Sequence, residues 1–444
     1  MGAGVLLQSF FYFAFHIIPY TNYTAKNNYI CAFIKIKIIM FATVNEQMDA
    51  IRQGTIDLIP EEELAQKIEK SIKNKKPLIA KLGCDPSRPD LHLGHAVILH
   101  KLRTFQYLGH TAVLIIGDFT GMIGDPSGKS KTRPQLTLEE TIANGQTYLE
   151  QATIILSKEQ LQIRYNSEWL GKLNFGDVIK LSAKYTVAQI LERDDFSKRY
   201  KAGQPISIHE FMYPLAQAFD SFAIDADIEL GGSDQKFNLL VGREIKRAYG
   251  LEPQCILTLP LLEGTDGVEK MSKSLDNYIS LTDTPKEIFG KVMSIPDSML
   301  LRYLKYAAFA KDDEVQQTKV GLENNSLHPR NVKVDIAKRI VDLYHSGGAG
   351  QLAFEEFERV FKNKELPDVI DEISVECENC EIKILDLLVN TNLAPSKKEA
   401  RRLIEQGGVY VDSKTFNDPM GTINLQQQRL LKVGKRKYLY VIAK

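Results

Sequence analysis

An apolar segment, a helical segment and a second apolar segment follow one another between residues 77 and 117, and this order constrains the fold more than any other feature. Residues 77–82 (PLIAKL) and 111–117 (TAVLIIG) have the continuous apolar pattern of buried strands. Residues 95–108 carry apolar side chains at helical spacing and stop at Gly109. Such a β-α-β unit predicts a parallel sheet that binds ligands at the strand-to-helix crossover, where helix N-termini favour phosphate.

The chain length predicts several domains. A chain of 444 residues is too long for one ordinary core, and its composition is that of a globular protein. We expect an α/β fold in which a Rossmann-like, doubly wound parallel sheet is followed by a helical domain and a small α+β domain. The predicted segments are N-terminal helices over 40–76, the sheet domain over 77–285, the helical domain over 286–364, a linker over 365–381 and the small domain over 382–444.

The first 39 residues differ in composition from the rest of the chain. No Asp or Glu occurs before Glu46 and no Arg before Arg52, and the apolar run over 5–18 is short for a membrane span. The absence of arginine argues against a transit peptide. We therefore expect residues 1–39 to be a disordered or non-native extension ahead of a start at Met40. A membrane-associating tail is the alternative.

Cysteine and charge usage predict a reduced protein with one basic end. Five cysteines form no disulfide framework, and Cys377 and Cys380 lack the second pair that a structural zinc needs, so no metal site is predicted. The net charge is zero, but residues 382–444 carry twelve Lys or Arg against five Asp or Glu. Residues 365–381 carry seven acidic residues and no basic one. We expect this acidic segment to be a solvated linker.

Two pairs of basic side chains predict nucleotide chemistry. His92 and His95 lie three residues apart at the crossover and can both donate to phosphate oxygens, while Gly94 lets a nucleotide approach the backbone. Lys270 and Lys273 lie in a polar loop that can close on pyrophosphate. Together they can stabilise a triphosphate without proton transfer, which suits attack of a carboxylate on the α-phosphate. Unrelated surface histidines or two metal ligands are the alternatives, but no third ligand is near in sequence.

The glycine-rich segment over 121–130 does not have the spacing of a P-loop. Its sequence, GMIGDPSGKS, would need glycine at position 123, which is Ile, so we reject the NTPase interpretation. We instead expect Asp125 to hold a substrate ammonium group. Lys129 and Arg133 would then face phosphate from a flexible loop.

A polar helix face predicts the second half of the site. Tyr213, Gln217 and Asp220 are spaced four and three residues apart, so they project from one side of a helix. Residues 231–235 (GGSDQ) then form a turn that ends in two hydrogen-bonding side chains. A buried carboxylate at position 220 would select a phenol over a phenyl ring, because the phenyl ring leaves the acceptor unsatisfied. Core packing is the alternative for Tyr213 alone.

These motifs resemble the signatures of class I aminoacyl-tRNA synthetases, and residues 40–444 resemble the bacterial tyrosyl-tRNA synthetase family over essentially their whole length. HLGH, GDPSGK, YPLAQAFDS, GGSDQ and KMSKS occur in the family's order. The resemblance implies ATP-dependent activation of L-tyrosine to tyrosyl-adenylate and transfer to the terminal adenosine of tRNA(Tyr). It also implies Mg²⁺ with the ATP, a homodimer, anticodon recognition by residues 286–364, and a cytoplasmic protein without membrane association.

The same resemblance implies roles for three groups of residues. The activation transition state would be stabilised by His92, His95, Lys129, Arg133, Lys270 and Lys273. ATP would be bound by Pro86, His92, Gly94, His95, Gly232, Asp234 and Lys273. Tyrosine would be bound by Asp125, Tyr213 and Gln217 at its amino group, by Asp220 at its hydroxyl and by Gln235 near its carboxylate.

The sequence departs from the family pattern at one pocket position. Many members have a tyrosine four residues before the Asp85-Pro86 pair, where it helps to bind the phenolic hydroxyl. This chain has Lys81 there, like a second bacterial subtype. We predict that Lys81 pairs with Asp118 at the end of the next strand and shapes the pocket.

The basic C-terminal segment has the features of an RNA-binding unit. Ser396 and Glu399 predict a capping box for a helix that ends at Gly407-Gly408, and a basic turn lies between two later strands. Clustered positive charge on a compact unit fits contact with an RNA backbone, and the segment resembles a small RNA-binding domain of a ribosomal protein. A solvated helix face is the alternative. The expected RNA contacts are Lys397, Lys398, Arg401, Arg402, Lys435, Arg436 and Lys437.

Two other functions stay open at this point. Tryptophanyl-tRNA synthetase belongs to the same class, but Asp220 and the basic C-terminal domain disfavour it. A noncatalytic, synthetase-like RNA-binding protein is the second alternative, and the intact histidine and lysine pairs argue against it.

Overall fold

The computed structural model describes residues 42–86, 91–127, 137–361, 370–377, 379–434 and 437–444. The predicted extension over 1–39 lies outside these residues. The chain divides into two compact units, the first ending at Gln351 and the second running from Leu352 to Lys444.

The first unit alternates strands and helices and then becomes helical. Its strands are β1 Asp57–Ile59, β2 Ile79–Cys84, β3 Thr111–Ile116, β4 Leu161–Tyr165, β5 Ile228–Gly232 and β6 Cys255–Leu259. The helices among them are α1 Val44–Arg52, α2 Glu61–Asn74, α3 Leu93–Tyr107, α4 Thr120–Ile123, α5 Leu138–Ala152, α6 Ser167–Leu170, α7 Phe175–Ser182, α8 Val187–Ile190, α9 Asp194–Lys201, α10 Ile208–Ala223 and α11 Lys236–Ala248. The later helices are α12 Pro285–Met293, α13 Leu300–Tyr306, α14 Asp312–Glu323, α15 Pro329–Tyr344 and α16 Ala349–Phe361, which crosses the boundary between the units.

The six strands of the first unit form one sheet in the order β1-β6-β5-β2-β3-β4. All neighbours are parallel except β1, which pairs antiparallel with β6. The chain runs from β2 outward to β4 and then returns to β5 on the other side of β2, so the direction of winding switches between β2 and β5. Ligands bind beyond the carboxyl ends of the strands at such a switch point. The predicted doubly wound parallel sheet is confirmed.

The second unit is a small α+β domain, as predicted. Its elements are β7 Glu372–Val375, β8 Glu381–Lys383, α17 Ile384–Asn390, α18 Lys397–Glu405, β9 Val409–Val411, β10 Lys414–Thr415, β11 Thr422–Asn424, β12 Arg429–Val433 and β13 Lys437–Ala443. Five strands pair in the order β10-β9-β12-β13-β7, and β8 pairs with β11. The two helices bury Leu387, Leu388 and Ile404 in a core with Leu431 and Val441.

The acidic segment over 365–381 is not a linker throughout, and this expectation needs correction. Within it, β7 pairs in parallel with β13 along four residues. Glu372, Ile373 and Ser374 remain exposed, while Val375 is buried in the core of the unit and backbone hydrogen bonds hold the strand in the sheet. Residues 365–369 lie outside the described part.

Every helix within the described ranges is too short or too polar to span a bilayer.

Candidate functional site

Most of the sequence-predicted residues that are described in the first unit line one cavity of about 680 Å³ at the switch point of the sheet. It is bordered by residues that follow β2, β3 and β5, by one face of α10 and by the loop around Lys270. The predicted residues that line it are His92, Gly94, His95, Asp125, Tyr213, Gln217, Asp220, Gly232, Asp234, Gln235, Lys270 and Lys273.

The two histidines open helix α3. His92 is the N-cap residue, and its backbone N–H donates to Nδ1 of His95 at 3.3 Å, while the two rings stack with centroids 3.9 Å apart. Burial, together with the nearby lysines, keeps the pKa of His92 well below its ordinary value and lowers the pKa of His95 to about 4. Both imidazoles are therefore neutral at pH 7. Among the described residues, buried Nδ1 of His92 has no hydrogen-bond partner.

Backbone pairing holds the segment that follows the lysine loop (residues 264–277) beside the histidines. Leu93 N donates to Ile279 O at 3.0 Å, and His92 forms an isolated antiparallel bridge with Ser280. A Cβ atom at Gly94 would lie 3.0 Å from the His92 ring and 3.7 Å from Cβ of Met271, so a glycine allows this close approach.

Asn277 organises the turn that carries the lysines. Its Oδ1 accepts from Ser272 N at 2.7 Å, and its Nδ2 donates to Asp266 Oδ2 at 2.7 Å. Lys270 Nζ donates to Asp234 Oδ2 at 3.1 Å, which joins this loop to the turn after β5. Both lysines line the cavity near the neutral histidines, and closure of the loop on pyrophosphate stays a prediction.

Asp125 is linked to the turn after β5. Its Oδ2 accepts from Gln235 Nε2 at 2.9 Å, and its Oδ1 accepts from Ser127 N at 2.8 Å. A second contact fixes the amide of Gln235, because its Oε1 accepts from Asn238 Nδ2 at 3.0 Å. The carboxylate thus faces the cavity beside an oriented amide, as a group that binds an ammonium ion must.

Tyr213 contacts an acid that the sequence argument did not use. Its hydroxyl donates to Asp85 Oδ2 at 2.7 Å, and Asp85 Oδ1 accepts from Thr120 Oγ1 at 2.7 Å. A Cβ atom at Gly117 would lie 2.0 Å from Asp85 Oδ1, so only glycine fits there. Asp85 lines the same cavity and adds a carboxylate to those of Asp125, Asp220 and Asp234.

Asp220 is buried, and each of its carboxylate oxygens accepts a hydrogen bond from a side chain. Trp169 Nε1 donates to its Oδ1 at 2.8 Å and Asn166 Nδ2 to its Oδ2 at 3.3 Å. Burial raises the pKa of Asp220 to about 7, against the opposing charge of Lys81. A carboxylate in this setting has little water to accept from and is prepared to accept a hydrogen bond from a ligand hydroxyl.

The predicted pair of Lys81 and Asp118 is wrong. Asp118 accepts from Ser167 Oγ at 2.5 Å and from Ser167 N at 2.9 Å. Lys81 Nζ lies 2.8 Å from Glu229 Oε1, on the opposite neighbour of β2. Asp118 follows the end of β3 and is held by the start of α6, whereas Lys81 lies within β2 and faces helix α10.

Several predicted residues fall elsewhere. Pro86 does not border the cavity; its carbonyl accepts from Asn144 Nδ2 at 3.0 Å. Lys129, Arg133, Lys435 and Arg436 lie outside the described residues.

In the second unit, Lys397, Lys398, Arg401 and Arg402 are exposed on α18, and exposed Lys437 begins β13. Ser396 caps α18, but Glu399 pairs with Arg402 rather than completing the predicted capping box.

Sequence reasoning missed the buried polar side chains around α10. Asn166, Ser221, Glu229, Asn238 and Gln254 are each at most 1% exposed. The first four bond to the predicted residues or to Lys81, and Gln254 bonds to Glu229. The available signal was that Lys81 and Glu229 each interrupt an otherwise apolar strand, in LIAKLG and DIELGG. Opposite charges in two buried strands predict an ion pair.

The fold and the site together define a class I nucleotide-binding synthetase. Its sheet is doubly wound, and neutral histidines at the start of a helix border one cavity together with lysines on a loop. The same cavity contains an amino-acid pocket. Residues 73–362 match the family described as tRNA synthetases class I (W and Y), and residues 362–441 match the tyrosine--tRNA ligase SYY-like C-terminal domain. The chain therefore belongs to the tyrosine–tRNA ligases of this family.

The sequences of curated relatives are similar to this chain over nearly its whole length. The tyrosine--tRNA ligase of Carboxydothermus hydrogenoformans is 50% identical over 403 residues, which cover 90% of this chain and 98% of that protein. The enzyme of Thermotoga maritima is 50% identical over 396 residues, or 89% and 97% of the two chains. The tyrosyl-tRNA synthetase of Archaeoglobus fulgidus, solved with L-tyrosine, shares the fold with a TM-score of 0.58 at 24% identity, covering 70% of this chain and 99% of that one.

Proposed function

We propose that this chain activates L-tyrosine with ATP to form tyrosyl-adenylate and pyrophosphate, and then transfers the tyrosyl group to the terminal adenosine of tRNA(Tyr). The observation that carries the proposal is Asp220, a buried carboxylate held by Trp169 and Asn166 in the cavity that the histidines and lysines also line. The phenyl ring of phenylalanine has no donor for this buried acceptor, whereas the phenol of tyrosine has one.

Activation is catalysed mainly by positioning and by stabilising charge. The tyrosine carboxylate attacks the α-phosphate, and pyrophosphate leaves. Neutral His92 and His95 donate hydrogen bonds to the phosphates, and Lys270 and Lys273 attract the charge that develops on pyrophosphate. The family resemblance implies the same role for Lys129 and Arg133. Gly94, Gly232 and Asp234 border the nucleotide side.

Tyrosine is oriented by groups at both of its ends. Asp125, Tyr213 and Gln217 hold the amino group, with Asp85 fixing the Tyr213 hydroxyl at 2.7 Å. Gln235 lies near the carboxylate, and Asp220 accepts the phenolic hydroxyl. Phenylalanine is rejected because it would leave Asp220 buried without that donor.

Mg²⁺ enters with ATP in this proposal, because the phosphates supply the oxygen ligands that the ion prefers. Within the described residues, no three His, Cys, Asp or Glu side chains are grouped as a metal site. We also propose a cytoplasmic location, because ATP and tRNA are both available there.

The remaining domains serve tRNA and assembly. Residues 286–364 would recognise the anticodon, and the exposed basic residues of α18 with Lys437 would contact the tRNA backbone.

A homodimer is supported by large apolar side chains left exposed on and near α7 and α8. Phe175 is 80% exposed, Ile179 54%, Val187 60% and Ile208 81%.

Aminoacylation of unfractionated tRNA with labelled tyrosine, tryptophan or phenylalanine tests the proposal. We expect charging with tyrosine alone. Charging with tryptophan, or no charging by a folded protein, would contradict it.

A further inference from the structure

Lys81 and Glu229 form a charged pair in the centre of the sheet. They are register partners on the parallel strands β2 and β5, their side chains are 0% and 2% exposed, and Nζ lies 2.8 Å from Oε1. Neither side chain borders the cavity. Taking two charges out of water costs about as much as their attraction returns, and an apolar pair is often at least as stable. Stability alone therefore does not account for the pair.

The lysine uses all three of its N–H groups within this cluster. Besides Glu229, Nζ donates to Ser221 Oγ at 2.8 Å and to the backbone oxygen of Gln217 at 3.2 Å. Gln217 and Ser221 lie one helical turn apart on α10, and Asp220 lies between them in sequence. Lys81 thus ties to the sheet the turn of α10 that carries Gln217 and Asp220, two of the proposed tyrosine contacts.

Glu229 completes the link from the other side. Its Oε1 accepts from Gln217 Nε2 at 3.4 Å, and its Oε2 accepts from Ser221 Oγ at 2.7 Å and from Gln254 Nε2 at 2.8 Å. The other end of the Gln217 amide accepts from Asn238 Nδ2 at 3.2 Å. The amide is therefore held at both ends.

Helix α11 leaves room for this cluster. A Cβ atom at Gly242 would lie 2.5 Å from Gln254 Nε2 and 3.1 Å from Glu229 Oε2. The glycine lets helix α11 approach the buried amide of Gln254 and the carboxylate of Glu229, so the helix packs closely against the cluster.

We propose that Lys81 and Glu229 are positioning residues for tyrosine recognition: the pair fixes the turn of α10 that presents Gln217 to the amino group and Asp220 to the hydroxyl of the substrate. The inference rests on the proposed tyrosine activation. It also explains how the pocket is shaped without a tyrosine at position 81, since the residue there acts through the helix and not on the substrate.

The double variant K81M/E229Q tests the proposal, because it removes both charges and leaves neither one buried alone. Binding of tyrosine is followed by the fluorescence of Trp169, the single tryptophan of the chain, whose indole N–H contacts Asp220. We expect Kd and KM for tyrosine to rise about tenfold or more while KM for ATP changes less than about twofold, since a small misplacement of contact groups is costly. Discrimination against phenylalanine falls as well.

The control is a second buried pair on the same helix. Arg199 and Glu210, 5% and 2% exposed, join α9 to the first turn of α10 and do not border the cavity. R199M/E210Q is expected to leave the tyrosine Kd unchanged. S221A keeps the Lys81–Glu229 pair but removes its hydroxyl link, so we expect a smaller rise in Kd from a protein that folds readily.

Three results overturn the assignment. The first is a folded K81M/E229Q protein with unchanged tyrosine Kd and selectivity, and the second is an equal loss of tyrosine and ATP affinity. The third is the same tyrosine defect in R199M/E210Q. A wild-type protein without tyrosine-dependent pyrophosphate exchange instead removes the proposed function itself, which separates the two failures.

Discussion

At the scale of single residues, the proposed recognition of tyrosine depends on Asp220. Burial raises its pKa from 3.8 to about 7, while Lys81, Trp169 and Asn166 oppose the rise and Glu229 adds to it. The folded state thus holds the Asp220 proton more tightly than the unfolded state does. The resulting contribution to stability is complete below about pH 4 and is lost as the pH rises through about 7. Recognition therefore uses a carboxylate whose ionised form costs stability.

The tyrosine KM should depend on pH through this group. Only the ionised carboxylate is a full acceptor for the phenol, so KM for tyrosine should fall about tenfold between pH 6 and pH 8. The histidines do not add to this change, since the pKa of His95 is about 4 and that of His92 is also low. Initial rates of pyrophosphate exchange at several pH values measure it. A flat tyrosine KM in the wild type, or an equal change in D220N, would refute the assignment.

At the scale of elements, the lysine loop is held in shape by one side chain. Asn277 is 4% exposed and bonds Ser272 N, Asp266 Oδ2 and the backbone oxygens of Glu269 and Lys270. A Cβ atom at Gly264 would lie only 2.2 Å from its Cγ, so the loop closes tightly around the amide. The amide of Asn277 therefore orders the turn that carries Lys270 and Lys273.

Loss of that amide should slow activation without affecting tyrosine binding. We expect N277A to lower kcat of pyrophosphate exchange about tenfold or more, because misplaced lysines stabilise the transition state less well. The tyrosine Kd from Trp169 fluorescence should stay the same. V268A is the matched control, because Val268 lies in the same loop and is 78% exposed. Equal kcat values for the two variants would contradict this role.

The sequence predicts the long elements well and the short ones poorly. The helix expected over 95–108 is Leu93–Tyr107, because its apolar stripe and Gly109 define it locally. Strands β1 and β7 were missed, since three or four residues at a sheet edge carry little pattern. The partner of Lys81 was also missed, because it depends on β5 lying beside β2. The pairing of β2 with β5 is set by the winding of the whole sheet, and a local sequence pattern cannot predict it.

At the scale of the whole molecule, the cavity and the basic surface lie in different units. The first carries the cavity, and the second carries exposed positive charge on α18 although the chain has no net charge. Such a distribution directs a polyanion to one unit. Activation of tyrosine and capture of tRNA should therefore be separable.

Charge reversal on α18 tests that separation. K398E/R401E should leave tyrosine-dependent pyrophosphate exchange unchanged and raise KM for tRNA about tenfold or more at physiological salt, because phosphate contacts are lost. K414E, at an exposed position on β10, is the control. If the tRNA KM does not change, the basic stripe is a solvated helix face.

The exposed apolar side chains predict how copies associate. Phe175 and Ile208, 80% and 81% exposed, should be buried between two subunits. F175E/I208E should sediment as a monomer under conditions where the wild type and V320E sediment as dimers. A monomeric wild type, or a variant that stays dimeric, would exclude this surface as the interface.

ATP–pyrophosphate exchange by the wild type and by D220N, with tyrosine, phenylalanine or tryptophan, tests most directly whether Asp220 selects tyrosine. We expect exchange with tyrosine alone in the wild type. In D220N the preference for tyrosine over phenylalanine should fall by about 10- to 100-fold, the range expected when a buried acceptor is replaced. A wild type that activates tryptophan, or a D220N protein with undiminished selectivity, would contradict it.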